Sequence, residues 1–474
     1  SMTSQIAMTN HLGVALASDS VVTIGKGRTY ATVNKIFSLG ARQPVAIMVS
    51  GAARYIPGGV SWERVVGMFR EHIGSRELPH LKDYVNEFEQ FVISNTNIND
   101  VEQNALAIQS DLVEFFTNQI IPAAAHREEM LSNRDMRTVA YEVPEVSDYF
   151  TQAINSTIES ISEWIQKEIL RLSKDEDWNV HYYNTKKNYL EIVSKARDHF
   201  CKRHDCAESG DVILEVFLYQ LAMHGEDSHW KTKSTLVFAG FGDAEISPVT
   251  IDMTVGAKIN DVTFSDYTVH GIRPRKNFED DGSLTDETGE NSNIKLWTAS
   301  AMLTPYAMFD EIQNMLNGIH RDNIGILEQE MPKYMQAAVT DELLKVLDET
   351  EGVGAVTINK VKNAIENCKP RLVDVVKKEV RSAIRAGQKR RREGFRFVTS
   401  QIPLHEMVEF AKSLVSLEAQ IQHYSKENRH VGGPIDVATI TKEDGFLWIE
   451  SKVRVDPTKN PRQLDKDRFS AGLQ

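Results

Sequence analysis

Apolar side chains recur with two different periods along this chain, and the switch between them divides it. Gln5-Ile6-Ala7-Met8-Thr9 alternates polar with apolar, as a half-buried strand does. Asn10-His11-Leu12-Gly13 supplies turn chemistry, and Val14-Ala15-Leu16-Ala17 returns as a more buried strand. Ile36–Leu39 and Val45–Val49 read as two more strands around a Gly40–Pro44 turn. Apolar positions 62, 65, 66, 69 and 73 then mark a helical face with Gly74 as its C-cap, and a second helix covers roughly Leu81 to Ile93.

From about residue 96 to 232 the period is helical throughout. Phe150, Ile154, Ile158, Ile161, Ile165, Ile169 and Leu172 form one apolar stripe, and further helices fit Lys187–Lys202 and Val212–His224. Strand patterns resume in Thr235–Phe241, Val249–Thr254 and Asp261–Val269. An acidic loop follows from Phe278 to Asn291, and helices are expected from Lys295 to Glu393, one of them over about Lys369 to Arg392. An amphipathic helix from Leu404 leads through Gly432-Gly433-Pro434 into a final hairpin that ends near Glu450, and the stretch from Val453 reads as an extended tail.

Composition narrows the function classes. The 474 residues are 41% hydrophobic and 26% charged, ordinary for a globular chain. The formal net charge of −13 argues against nucleic acid as the main partner. No apolar run is long enough for a membrane span, no signal peptide is recognisable, and three cysteines do not make a disulfide framework. The expectation is a cytoplasmic protein of a bacterium, with Ser1-Met2 an expression remnant followed by the native initiator.

Three residues carry the candidate chemistry: Thr3, Asp19 and Lys35. A threonine hydroxyl needs a base to become a nucleophile, and an N-terminal threonine carries one in its own α-amino group. That amine has an ordinary pKa of roughly 7.7–8.0, which a neighbouring lysine cation lowers. A carboxylate beside the lysine holds it charged. Singly, each residue reads as ordinary chain: an exposed threonine, a turn aspartate, a surface lysine.

In register, however, these residues resemble the proteasome β-type subunits and the simpler bacterial proteasome-like peptidases, which are N-terminal-nucleophile hydrolases. The likeness is carried by Thr3, Gly13–Ser20, Val33-Asn34-Lys35 and Ser50-Gly51-Ala52-Ala53, with Asp19 and Lys35 following Thr3 at 16 and 32 residues. It implies an α+β, four-layer αββα sandwich interrupted by two large helical insertions. The core segments are then 1–95, 233–272 and 402–452, with insertions at 96–232 and 273–401 and a tail at 453–474. It further implies Thr3 as nucleophile, Asp19 and Lys35 as its supports, and Gly51 as the oxyanion-hole residue. Thr23 would pair with substrate backbone, and Val22, Val33, Phe37, Val49 and Ala53 would form an uncharged specificity pocket. The implied partners are a peptide or unfolded-protein substrate, further copies of the chain and an unfoldase or accessory protein. No cofactor is implied.

The pattern departs from the family where supporting serine and aspartate residues are expected. Those positions fall on His270, Asn428 and Val431. An imidazole or amide can join a proton network, whereas valine cannot. The sequence therefore supports a threonine peptidase, with a catalytically silent binding or assembly protein and a small-molecule amidase as alternatives. Two other motifs read as structural. His199, Cys201, His204 and Cys206 match no standard zinc spacing, so no metal is expected. Lys389–Arg392 near a helix C-terminus complements the helix dipole as readily as it grips phosphate.

Overall fold

The structure, a computed structural model, describes residues 3–24, 28–30, 33–40, 42–132, 148–223, 232–272, 295–307, 310–350, 352, 354–425 and 432–452. The acidic loop, the tail, Asn428 and Val431 lie outside these residues. The first strands are β1 (Ser4–Asn10), β2 (Gly13–Ser18), β3 (Val22–Ile24), β4 (Arg28–Tyr30), β5 (Ile36–Ser38), β6 (Val45–Gly51), β7 (Arg54–Tyr55) and β8 (Val60–Ser61). Helices α1 (Trp62–Ile73), α2 (Leu81–Ser94), α3 (Val101–Ser132), α4 (Asp148–Leu172), α5 (Glu176–His204) and α6 (Gly210–Ala222) follow. Then come β9 (Ser234–Gly240), β10 (Val249–Ile259), β11 (Val262–Ile272), β12 (Lys295–Ala299) and β13 (Met302–Ala307). The remainder is α7 (Asp310–Asn317), α8 (Arg321–Gln329), α9 (Met331–Glu349), α10 (Ala355–Thr399), α11 (Leu404–Ser425), β14 (Asp436–Thr441) and β15 (Gly445–Glu450).

The fold is mixed α+β. The larger sheets have the orders β13-β1-β2-β14-β15 and β12-β11-β10-β9-β6-β5, β3-β4 and β7-β8 form two-stranded ribbons, and among the described residues every pairing is antiparallel except β11 with β12. One apolar core holds Ile6, Met8, Leu16 and Val437 of the first sheet, Met48 and Val237 of the second, and Met407, Ala411 and Val415 of α11. A separate core lies between the second sheet and α1 and α2, with Trp62, Val65, Val66, Phe69 and Ile73 as the buried face of α1. These are the positions the periodicity selects, and Gly74 ends the helix at φ 57°.

Two expectations change on contact with the structure. β1 is buried along its whole length rather than on one face. One of its polar residues bridges the two sheets: the Gln5 amide donates to Ser18 Oγ at 3.1 Å and across to Val49 O of the other sheet at 2.7 Å. The region from Lys295 begins not with a helix but with β12 and β13, which extend both sheets. Pro305 discourages a strand assignment in sequence, yet among the described residues β13 is an edge strand, where sheets tolerate proline.

The first helical region packs α3, α4, α5 and α6 around its own core, into which Ala257 and Ile259 at the end of β10 project. Ile154, Ile158 and Ile165 of the expected stripe are fully buried there. In the second region α10 runs from Ala355 straight through Pro370 to Thr399, well beyond the expected limits. Among the described residues no helix is long and apolar enough to cross a membrane.

Gly240 is the tightest glycine of the β-core, with φ 141° and Pro44 O only 2.0 Å from where a Cβ would stand. Gly240→Ala is expected to cost about 1–3 kcal/mol. Gly67→Ala, in α1 with nothing within 4 Å of the added methyl, is expected to add about 0.5–1 kcal/mol. Urea midpoints of the two variants moving in the same direction would contradict this.

Candidate active site

The end of β2 is held by the start of β1. Asp19 N–H donates to Ser4 O at 3.0 Å, and Ser4 N–H returns a bond to Asp19 Oδ1 at 2.9 Å. This exchange places Thr3, the residue before Ser4, beside the Asp19 carboxylate. Lys35 reaches the same carboxylate from the next segment, its Nζ donating to Asp19 Oδ1 at 2.8 Å and to Val21 O at 2.7 Å. The backbone fixes its position, because Val49 N–H of β6 donates to Lys35 O. Asp19 Oδ2 accepts from Val21 N–H at 3.3 Å and Gly432 N–H at 3.2 Å. The side chains of Lys35 and Asp19 are 5% and 0% exposed.

So deep a pair feels desolvation strongly. Burial pushes the Asp19 carboxyl up and the Lys35 ammonium down, each opposed by the attraction of its partner. A second ion pair lies alongside. Asp436 stands opposite Ser18 in the β2–β14 register and is paired with Lys452, whose N–H donates to Asp436 Oδ1 at 2.9 Å. Those side chains are 3% and 4% exposed. Lys452 pushes the Lys35 ammonium further down while Asp436 pushes it up. Sequence reasoning missed both residues. An aspartate between Ile435 and Val437 just after Gly432-Gly433-Pro434 was a signal for one, whereas Lys452 is indistinguishable from the charged tail beside it.

Thr3 and Lys35 line one cavity of about 140 Å³ with Val33, Val49, Gly51, Ala53 and Trp62. Its far wall is braced by a relay in which Trp62 Nε1–H donates to Ser234 Oγ at 2.8 Å and Ser234 Oγ donates to Ala52 O at 2.8 Å. Gly51 has φ 80°, and a Cβ there would meet Lys233 O at 2.4 Å, so the turn needs glycine. Thr3 itself is only 1% exposed.

The structure thus brings together Thr3, Lys35, Gly51, Val33, Val49 and Ala53, with Asp19 bonded to Lys35 behind them. The other candidates lie on other elements. His270 on β11 lies 2.9 Å from Asp252 and lines a second cavity. Phe37 belongs to the core beneath α1 and α2. Val22 and Thr23 form β3, with Thr23 opposite Thr29. The cavity is not free of charge as expected, since exposed Arg54 and Glu63 are at its wall.

Among the described residues no group of three or more His, Cys, Asp or Glu converges as metal ligands would. Cys201 and Cys206 are packed in the helical core, and burial pushes the Cys206 thiol up to about 12. That leaves it an unreactive apolar side chain.

No family model matches the chain, and no characterised protein matches it in sequence. Among solved structures it is similar to a Gly-1 mutant of Anbu from Hyphomicrobium sp. strain MC1, with 9% identity over 100% of this chain and 97% of that one, at a TM-score of 0.26. Anbu, described as an ancestral beta-subunit, from Yersinia bercovieri gives 8% identity over 99% and 94%, at a TM-score of 0.25. Likeness of that degree carries no argument, so the functional reading rests on the chain's own geometry.

The Asp19–Lys35 pair makes a direct prediction. Asp19→Asn leaves a buried ammonium without its counter-charge and is expected to cost about 3–5 kcal/mol. Asp19→Asn combined with Lys35→Met removes both charges and is expected to cost less than Asp19→Asn alone. Urea unfolding of the two variants decides it; additive losses would show that the charges are not coupled.

Proposed function

We propose that the chain is an N-terminal threonine hydrolase of the proteasome β type, built on the four-layer αββα sandwich, with amide bonds of peptides as substrate. The observation that supports this reading is the gathering of Thr3, Lys35 and Gly51 on one cavity, with Asp19 bonded to the lysine. In this reading the chain acts once it begins at Thr3, because an amide nitrogen is not a base. The free α-amine takes the proton of Thr3 Oγ1 as that oxygen bonds to the substrate carbonyl carbon. The backbone at Gly51 faces the developing oxyanion. The C–N bond then breaks, the α-amine returns the proton to the leaving amine, and water hydrolyses the resulting ester. Lys35 keeps the amine unprotonated near neutral pH, and Asp19 keeps Lys35 charged and in place.

The size of the cavity favours a second reading within the same chemistry. At about 140 Å³ it is smaller than the ~300–1,000 Å³ of ordinary ligand pockets. It suits one small side chain or a small-molecule amide. Self-association belongs to the main reading and is supported by apolar side chains left in water on α9 and α10, including Tyr334 and Val356, each 71% exposed.

A chain beginning at Thr3 is expected to hydrolyse peptide amides and to gain mass on incubation with a threonine-directed epoxyketone or boronate. Thr3→Ala is expected to abolish both, and Lys35→Ala to slow turnover by ~10²–10⁴-fold. The rate should rise with pH through a limb below the ordinary ~7.7–8.0 of an α-amine. Equal turnover by the chain that starts at Ser1 would sink the mechanism.

Substrate preference follows from Val33, Val49 and Ala53 at the cavity wall. Small apolar residues at the cleavage position are expected to be cut fastest, because burying a charged side chain against these groups is costly. A fluorogenic panel in which acidic or basic residues were cut best would exclude this wall as the specificity pocket.

A further inference from the structure

A second cavity, of about 250 Å³, opens where the edge strand β13, the end of β11, α7 and α10 meet. Its apolar walls include Met302, Leu316 and Phe395, and its charged groups are Arg392 and Arg396, with His270 beside them. Among the described residues no carboxylate lines it, in a chain whose net charge is −13. Arg392 and Arg396 are four residues apart and so share one face of α10, where like charges at this spacing destabilise a helix. Burial, and Arg392 beside it, push the Arg396 guanidinium down, while Glu393 is its counter-charge. That carboxylate also lies 3.6 Å from Lys389. Asp252 carries the other negative charge nearby, engaged at Oδ2 by His270 Nε2 at 2.9 Å and by the Tyr306 hydroxyl at 3.2 Å.

The basic end of α10 is fastened rather than free. Arg392 Nε–H donates to Asn317 Oδ1 at 2.8 Å, and Arg391 lies 5.2 Å over the Phe395 ring. The Arg392 guanidinium is therefore held at the cavity, one turn of α10 from Arg396, before any ligand arrives. We propose that this cavity binds the oxyanion of a small molecule, a carboxylate or a phosphate, between Arg392 and Arg396. Guanidinium forks match the paired oxygens of such groups, and the apolar walls accommodate the carbon skeleton that carries them. The size, about 250 Å³, selects a small molecule over a polymer. The site is independent of Thr3 and its chemistry.

Titration calorimetry on the full chain tests this with inorganic phosphate in one arm and succinate in the other. At least one is expected to bind saturably, and the arm that does identifies the source of the oxyanion. Arg392→Gln and Arg396→Gln are each expected to weaken binding by about tenfold or more. Lys389→Gln, which removes the same charge outside the cavity, is expected to leave it unchanged. Arg392 is exposed, so Arg392→Gln remains informative if Arg396→Gln fails to fold. No binding of either probe up to about 10 mM, or equal weakening by all three substitutions, would overturn the proposal.

Discussion

A carboxylate and an ammonium buried together at the end of β2 set the terms for the first fifty residues. Moving each ion out of water costs several kcal/mol, and their mutual attraction offsets this only with good geometry and further hydrogen bonds. Asp19 has both: Lys35 and three backbone N–H groups, from Ser4, Val21 and Gly432, converge on its two oxygens. These donors come from β1, from the turn after β2 and from the glycine pair before β14. Strands distant in sequence must therefore be in register before the charge is satisfied. Asp436 and Lys452 repeat the arrangement one strand over. Two such pairs side by side are a poor way to stabilise a core, which hydrophobic residues of similar volume do at least as well.

The same geometry explains why β1 is polar yet buried. A strand covered by a second sheet and by α11 would ordinarily be apolar on both faces, but Gln5 spans the interface to Val49 O and keeps β6 close to β1. β6 carries Val49 and Gly51, so this bond brings the far wall of the cavity towards Thr3. The relay from Trp62 through Ser234 to Ala52 holds the wall from the other side. A cavity braced on both sides by buried hydrogen bonds has little freedom to collapse.

What could be read from the sequence was what depends on neighbours in the chain. The face of α1 and the cap at Gly74 follow from local periodicity and turn chemistry, and both are present. The clustering of Thr3, Lys35 and Gly51 was legible only because a family resemblance supplied their long-range relation. Spacing alone does not place residues on a cavity. What failed depended on partners that sequence does not display. β13 is stabilised by its pairing to β1 and, among the described residues, pairs along that edge alone, where proline is tolerated. α10 continues through Pro370, where a local reading starts a new helix. Nor does any rule of spacing show that β10 would offer Asp252 to His270.

The second helical region is tied into the core rather than appended to it. β13, from within the region expected to be an insertion, closes the first sheet against β1, and the chain then leaves through α7 to α10. α10 returns to the core at its far end, where Asn10 at the β1–β2 turn donates to Thr399 O and Ile402 O at 3.0 and 3.1 Å. Loosening α10 would thus disturb the turn that sets the β1–β2 register, and with it the bond between Ser4 and Asp19. The helices of this region are therefore mechanically coupled to the strand that carries the candidate nucleophile.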